Sequence, residues 1–169
     1  MKLELKHPSL EQKEEYLSFI KDWEDHGEEI TPYSARLLGQ SYEEWLASAC
    51  RMEREAPENF VCAHTFFLTD ETGRILGAIN IRHELNSELL KCGGHIGYGV
   101  RPSERRKGYA VRMLALALPI AKGLGIVKAL ITCKKENIGS AKTILHNGGR
   151  LENELCLNGK ITQRYWVDL

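Results

Sequence analysis

The sequence has no excess of charge of either sign, because 23 Lys and Arg residues balance 23 Asp and Glu residues. A neutral chain has no overall attraction for nucleic acid or for an anionic membrane surface, so we expect neither as a partner. The chain also lacks any apolar run close to the roughly 20 residues that a membrane helix needs. Its first six residues, MKLELK, alternate like a short strand and lack the apolar core of a signal peptide. These absences favour a cytoplasmic protein.

Paired cysteines are missing as well. The chain has five cysteines, an odd number, and they are widely spaced with no C-x-x-C motif among them. Neither a disulfide framework nor a zinc knuckle is indicated, so we expect reduced thiols and no bound metal. Internal repeats, low-complexity tracts and Gly/Ser/Pro linkers are also lacking. Residues 1–169 are therefore predicted to form one domain, which is long enough to bury a sizeable core.

Helical periodicity marks four segments of the sequence. In the first, apolar residues from Tyr16 to Trp23 recur at helical spacing before Gly27 ends the helix. Ser41 and the glutamate three residues later form the pattern of a capping box. Pro119 interrupts the third helix and favours a kink or an early end. The four helices are predicted from Pro8 to Gly27, from Ser41 to Ala49, over 109–122 and over 138–147.

Strand-like alternation fills most of the remaining chain. Residues 70–73 are the predicted turn of one hairpin, and Asn158-Gly159 is a strong type I′ signal for another. Besides the opening strand, strands are predicted over 60–69, 74–82, 94–100, 127–133, 150–157 and 160–168. The order β-α-α-β-β-β-α-β-α-β-β predicts a mixed α/β (α+β) fold. We expect a twisted, mostly antiparallel sheet of about seven strands, helices on both faces and one parallel β-α-β crossover around residues 94–133.

Residues 101–110, RPSERRKGYA, stand where a strand gives way to a helix. Backbone N–H groups at the start of a helix have no internal partner and carry the positive end of its dipole. Gly108 would let a ligand approach that backbone closely, and the three basic residues before it add positive charge. The stretch is either an anion site, such as one for a pyrophosphate, or a solvated turn. Physical chemistry alone leaves both interpretations open.

A wider pattern makes this stretch recognisable. Arg105-x-x-Gly108-x-Ala110, after a strand that ends in GYGVRP, resembles the acetyl-coenzyme A (acetyl-CoA) signature of the GNAT acetyltransferase superfamily. A second segment follows the next strand, with Asn137, Ser140 and the sequence HNGG at 146–149, and the predicted order of elements is also that of the family. The resemblance implies a GNAT fold and an N-acetyltransferase. Such an enzyme passes the acetyl group of acetyl-CoA to a primary amine by direct attack in a ternary complex.

The resemblance also implies which residues hold the donor. Main-chain groups of strand 94–100 would pair with the pantetheine arm like an added strand, where this strand splays from strand 127–133. The backbone from Arg105 to Ala110 would hold the pyrophosphate, and Asn137 would contact the thioester region. The cofactor-binding residues predicted in this way are Tyr98, Gly99, Val100, Arg105, Arg106, Lys107, Gly108, Tyr109, Ala110, Asn137 and Ser140.

Two positions depart from the family pattern. Ile144 stands where many relatives carry a tyrosine that protonates the leaving thiolate, and Gly149 replaces the final aromatic residue of the second segment. Both changes are compatible with cofactor binding, but the usual general acid is absent. A second interpretation of the chain is therefore an acyl-CoA-binding or sensing domain that has lost catalysis.

Attack on a thioester requires a neutral amine, so a base must accept its proton. The candidates are His95, at the start of the strand expected to hold the donor, and Glu84 with His83 at the end of the preceding strand. A histidine titrates in the useful range, although the alternative for His95 is a structural role at a strand edge. The tyrosines available as the acid are Tyr98, Tyr109 and Tyr165. We name His95, Glu84 and Tyr109 as the predicted catalytic residues.

The acceptor is expected to border the first two helices, as it does in the family. There the segment KDWEDHGEEITPY surrounds Trp23 and Tyr33 with five carboxylates. Such a rim suits a small cationic amine or a basic peptide end. The alternative is a solvated acidic helix end and loop. The sequence thus predicts a small-molecule or peptide amine as the acceptor, and a monomer or homodimer as the assembly.

Overall fold

The computed structural model describes residues 2–169, which form seven strands and five α-helices. The strands are β1 (Glu4–Lys6), β2 (Ala63–Thr69), β3 (Ile75–Arg82), β4 (Ile96–Val100), β5 (Lys128–Lys134), β6 (Arg150–Leu157) and β7 (Lys160–Asp168). The helices are α1 (Lys13–Asp25), α2 (Tyr42–Met52), α3 (Ser87–Lys91), α4 (Tyr109–Gly123) and α5 (Ile138–His146). None of the helices in residues 2–169 combines the length and apolarity that crossing a membrane would take.

The seven strands form two antiparallel sheets instead of one continuous sheet. The order is β1-β2-β3-β4 in the first sheet and β5-β7-β6 in the second. The parallel pairing predicted within residues 94–133 does not form, since β4 and β5 belong to different sheets in the described residues. An antiparallel bridge joins Gly94, just before β4, to Ile131 of β5. The mixed α/β class and the number of strands are confirmed. The gap between the two sheets is where the candidate site lies.

Helices cover both faces of the first sheet, as predicted, because alternate residues of its strands point in opposite directions. Phe67 of β2 faces α1 and α2, with its ring 5.6 Å from that of Tyr16 and 5.9 Å from that of Trp45 between centroids. The neighbouring Leu68 lies on the other face, in the same buried cluster as Met113 of α4. The sheet is therefore the layer between two hydrophobic cores.

Several local signals behave as the sequence predicts. The Ser41 hydroxyl accepts a hydrogen bond from the Glu44 N–H, and the Glu44 carboxylate accepts one from the Ser41 N–H, which is the predicted capping box. Asn158 and Gly159 have positive φ angles of 50° and 75°, as a type I′ turn requires. Pro119 does not end its helix, since α4 continues to Gly123.

Two helical features differ from the sequence prediction. The first helix begins at Lys13 instead of Pro8, because Leu10–Gln12 form a separate 3-10 turn. Helix α3 was not predicted, and its five residues are too few for a periodic pattern. Its start does carry a signal, because the Asn86 side chain accepts a hydrogen bond from the Leu89 N–H at 2.9 Å.

A buried arginine fixes the end of β4 against α1. Arg101 is only 3% exposed, and its guanidinium donates to Asp22 and Glu15 at 2.8 Å each and to the Ser18 hydroxyl at 2.8 Å. Burial raises the pKa of Asp22, but hydrogen bonds from Arg101 and Ser103 outweigh it and bring the pKa down to about 2. The carboxylate stays ionised, and the network anchors the chain just before the loop that leads into α4.

Candidate active site

The site begins at a fork between β4 and β5. The His95 N–H donates to the Leu130 carbonyl at 2.7 Å, and the Gly93 N–H donates to the Thr132 hydroxyl at 2.9 Å. Beyond His95, no hydrogen bond in residues 2–169 joins β4 to β5. The two strands therefore separate at this point, as the resemblance implied, and leave an open edge on β4.

The imidazole of His95 lies at the point where β4 and β5 separate. Its Nδ1 accepts a hydrogen bond from the Leu130 N–H at 2.9 Å, so the proton of the neutral ring is on Nε2. Burial, and then the positive charge of Arg82, lower the pKa of His95 below its ordinary value. The lone pair that a general base would use is thus engaged with the backbone. This geometry gives His95 the structural role that the sequence left as its alternative.

The open edge of β4 presents unused main-chain groups. Arg82 N–H donates to the His95 carbonyl at 2.7 Å, and Arg101 N–H donates to the Leu76 carbonyl at 2.8 Å. Since hydrogen-bonded positions alternate along an antiparallel strand, Tyr98 and Val100 must direct their N–H and C=O groups away from β3. The Val100 carbonyl accepts a 3.3 Å bond from the Arg105 side chain, whereas the main-chain groups of Tyr98 have no partner in residues 2–169. An extended ligand can pair with this edge.

A cleft of about 700 Å³ follows this edge to the loop before α4; we call it the loop cleft. Main-chain N–H groups of the loop and the first turn of α4 have no acceptor in the described part of the chain; they belong to Arg106, Lys107, Gly108, Ala110 and Val111. Gly108 has a φ of +81°, and a Cβ added to it would meet nothing within 4 Å. Donors at a helix start that face open space form a concave site for an anion.

The basic side chains of the loop are less available to bind an anionic ligand than the sequence suggested. Arg105 donates to both carboxylate oxygens of Glu28 at 2.8 and 2.7 Å and lies 5.1 Å from the ring centroid of Trp23. Lys107 pairs with Glu104 at 2.7 Å. Arg106 lines the loop cleft and pairs with no carboxylate in residues 2–169. The backbone, with Arg106, is therefore the part of the loop that is free to meet an anion.

The inner end of the loop cleft brings three predicted residues together. Asn137 caps α5 by accepting a hydrogen bond from the Ser140 N–H at 3.0 Å. The Tyr98 and Ser140 hydroxyls lie 2.9 Å apart. Burial raises the pKa of Tyr98 to about 12, so this phenol keeps its proton at neutral pH. A tyrosine of β4 thus places a hydroxyl beside α5, the helix in which Ile144 is buried in the core.

A second cavity, of about 970 Å³, opens on the other side of this point. It shares four lining residues with the loop cleft, namely Thr31, Tyr98, Asn137 and Ser140, and we call these residues the junction. The charged residues that line the second cavity are Arg82, Lys91, Lys134, Lys160 and Glu88. We call it the basic cavity, because four cations face one carboxylate. A ligand in the loop cleft and a ligand in the basic cavity would therefore meet at the junction.

The comparisons with known proteins agree with this architecture. A family model described as the acetyltransferase (GNAT) domain matches residues 2–150. The chain belongs to the GNAT acetyltransferase family. No curated protein sequence gives a significant match.

Solved structures with the same fold are similar to the chain over nearly its full length. Mycobacterium smegmatis RimJ in complex with CoA-disulfide has 17% identity and a TM-score of 0.73, covering 98% of this chain and 81% of that one. The microcin C7 self-immunity acetyltransferase MccE, in complex with acetyl-CoA and AMP, has 19% identity and a TM-score of 0.68, covering 99% and 92%. A chimera of the Vibrio cholerae spermidine N-acetyltransferase SpeG has 15% identity and a TM-score of 0.67, covering 99% and 96%. At these identities the likeness shows the GNAT fold.

The other predicted catalytic residues of this GNAT domain lie away from the junction. Glu84 lines neither cavity, and His83 is taken up by a hydrogen bond at 2.7 Å between its Nε2 and Nδ1 of His64. Tyr109 lines the loop cleft at the start of α4, beside the N–H groups of the loop. Tyr165 lines neither cavity and donates to Gln163 at 2.8 Å. Of the four junction residues, Tyr98, Asn137 and Ser140 were predicted to hold the donor, whereas Thr31 was not predicted.

The predicted acidic rim is largely neutralised. Asp22 is held by Arg101, and Glu28 by Arg105. Glu29 pairs with an arginine of the following loop at 2.9 Å. Glu28 borders the loop cleft, whereas none of the five carboxylates lines the basic cavity. Asp25 pairs with Lys21 at 2.9 Å, so Glu24 alone of the five forms no ion pair in residues 2–169. The structure therefore weakens the case for an acceptor bound by these carboxylates.

Sequence reasoning missed the residues of the basic cavity. Arg82, Lys91, Lys134 and Lys160 come from β3, α3, β5 and β7, and only the fold brings them together. In residues 2–169, no group of three or more His, Cys, Asp or Glu is arranged to hold a metal ion. The side chains of the junction itself carry hydroxyl and amide groups, since they belong to Thr31, Tyr98, Asn137 and Ser140.

Proposed function

We propose that this GNAT domain transfers the acetyl group of acetyl-CoA to a primary amine, by direct attack in a ternary complex. The observation that carries the proposal is the junction, where a cleft fitted to an extended anionic donor meets a second cavity. Membership of an acetyltransferase family supports the same reaction. The donor would enter through the loop cleft and the amine through the basic cavity.

The hydrogen-bonding groups of the loop cleft suit coenzyme A. The pyrophosphate would accept hydrogen bonds from the N–H groups between Arg106 and Val111, next to the unpaired Arg106 side chain. The pantetheine arm would pair with the free main-chain groups of Tyr98. The Asn137 side chain uses its oxygen to cap α5, which leaves its NH₂ group for the thioester region.

The junction supplies groups for the transfer itself. The amine nitrogen attacks the thioester carbonyl carbon, the new C–N bond forms and the C–S bond breaks. The Tyr98 hydroxyl donates a hydrogen bond to the departing thiolate, because its raised pKa keeps it protonated. The cations of the basic cavity disfavour an ammonium ion and favour the neutral amine, which is the nucleophilic form. The proton lost by the amine passes to water.

A second candidate function is an acyl-CoA-binding or sensing domain without catalysis, which the buried Ile144 favours. Purified protein, acetyl-CoA and a broad panel of amines separate the two functions. The enzyme would release coenzyme A thiol in an amine-dependent way and yield an equal amount of N-acetyl product by mass spectrometry. The sensor would bind coenzyme A in calorimetry and release no thiol with any amine.

A further inference from the structure

The basic cavity concentrates positive charge in a chain that is neutral overall. Four cations and one carboxylate line it, although the sequence has equal numbers of basic and acidic residues. The carboxylate, Glu88, faces Lys91 at 3.7 Å. Lys134 and Lys160 form no ion pair within residues 2–169. The cavity therefore carries uncompensated positive charge, which attracts an anion and repels a polycation.

Arg82 is the innermost of these cations and is only partly satisfied. Its Nη1 donates to the carbonyls of Gly93 and Gly94 at 3.1 and 3.0 Å, while Nε and Nη2 make no hydrogen bond within the described chain. Arg82 also pairs with no carboxylate there. A guanidinium is costly to take out of water without an opposite charge, and its planar fork matches a carboxylate or a phosphate.

The position of Arg82 links this charge to the junction. Its guanidinium lies over Gly97, where an added Cβ would be 3.5 Å from Nη2. The next residue along β4 is Tyr98, whose hydroxyl marks the junction. Successive residues of a strand, such as Gly97 and Tyr98, face opposite sides of the sheet, so the guanidinium and the hydroxyl are linked by the cavity itself. Arg82 and Tyr98 both line the basic cavity of about 970 Å³, which can hold an anion on Arg82 and an amine at the junction within one small molecule.

We propose that the acceptor is a small amine that carries a carboxylate or a phosphate group. Its anionic group lies against Arg82 and Lys134, and its amine points to the junction. This inference rests on the proposed function, since it assigns the amine side of the same transfer. It differs from the cationic acceptor that the acidic segment suggested, because four of the five carboxylates of that segment are paired within the chain and none of them lines the basic cavity.

The test uses four small amines that differ in charge. O-Phosphoethanolamine carries a phosphate, β-alanine a carboxylate, ethanolamine no second charge and 1,3-diaminopropane a second cation. Binding to the CoA-saturated protein is measured by calorimetry, and acetyl transfer by thiol release. We expect one or both of the amines that carry an anionic group to bind at least about 10-fold more tightly than ethanolamine and 1,3-diaminopropane at low salt, with a difference that shrinks as salt is added. The ratio of phosphate to carboxylate affinity identifies the anionic group.

A charge reversal with a matched control locates the site. Lys134→Glu should weaken binding of the preferred anionic amine by about 10-fold and should not weaken binding of ethanolamine. Lys135→Glu is the control, because Lys135 is the next residue, pairs with Glu154 at 3.0 Å and does not line the cavity. It should change neither affinity by more than about twofold. Equal effects of the two variants would overturn the assignment to this cavity.

The outcomes keep this inference separate from the proposed function. If ethanolamine or 1,3-diaminopropane is bound and acetylated as well as the two amines with an anionic group, the inference fails and the acetyltransferase stands. If an anionic amine binds in a Lys134-dependent way and no amine is acetylated, the basic cavity is an anion-binding site, but the acetyltransferase fails and with it the assignment of an acceptor. If neither O-phosphoethanolamine nor β-alanine binds, the inference fails and the acetyltransferase is untouched.

Discussion

Replacing Gly108 by alanine tests the loop cleft with a single added methyl group. The Cβ would project into open space, where the coenzyme A pyrophosphate is proposed to meet the backbone N–H groups. Gly125→Ala is a matched control, because Gly125 has a similar φ of +89°, equally open surroundings and no place in either cavity. Both substitutions place a non-glycine residue at a positive φ, but only Gly108→Ala alters the proposed pyrophosphate site.

The expected losses of stability and of coenzyme A affinity follow from these features. A non-glycine residue in the left-handed region costs about 1–2 kcal/mol. In a chain of this size that corresponds to a loss of roughly 2–8 °C in Tm for either variant. Displacing the pyrophosphate from one N–H group costs a further charge-assisted hydrogen bond of about 1.5–3 kcal/mol, or about 10- to 150-fold in Kd, in Gly108→Ala alone.

Calorimetry with coenzyme A and with pantetheine, which has no pyrophosphate, measures the difference. We expect Gly108→Ala to raise the Kd for coenzyme A and to leave pantetheine binding unchanged, while Gly125→Ala changes neither. If both variants bind coenzyme A with the same affinity as the unaltered protein, the N–H groups of the loop do not hold the pyrophosphate.

Two further substitutions test the fork and the junction. His95→Ala should cost about 1–3 kcal/mol in urea unfolding by leaving the Leu130 N–H without an acceptor, whereas His95→Gln, which keeps an acceptor, should recover part of it. Because folding lowers the pKa of His95, the stability that His95 contributes is fully present above its pKa of about 6.5 in the unfolded chain. This stability is lost as the pH falls through the pKa of His95 in the folded protein. The unaltered protein should lose stability over that window more steeply than His95→Gln, and parallel pH profiles would contradict the role. Tyr98→Phe should lower kcat about 10- to 150-fold with little change in coenzyme A affinity, while Tyr165→Phe, the control, should not lower kcat; equal kcat values would remove Tyr98 from the transfer step.

Local features of the fold were predictable because their causes are local. The capping box at Ser41 and the type I′ turn at Asn158-Gly159 depend on residues a few positions apart, so the sequence displays them directly. Gly108, just before α4, is also visible directly in the sequence, and the donor site was predicted partly from it. Helix α3 was missed because five residues show too little periodicity.

What the sequence could not show are contacts across large separations. Glu28 and Arg105 are 77 positions apart, so the sequence displayed a carboxylate rim and a basic loop without revealing that they neutralise each other. The acceptor nitrogen of His95 is engaged by Leu130, 35 positions away, which changes a candidate base into a structural acceptor. The charge of the basic cavity likewise arises only when four separate elements meet.

The most direct test of the account is a crystal structure of the protein with coenzyme A. The account predicts the cofactor between β4 and β5, its pyrophosphate on the N–H groups from Arg106 to Val111 and its sulfur beside the hydroxyls of Tyr98 and Ser140. Coenzyme A bound elsewhere, or with its sulfur away from the junction, would contradict the account.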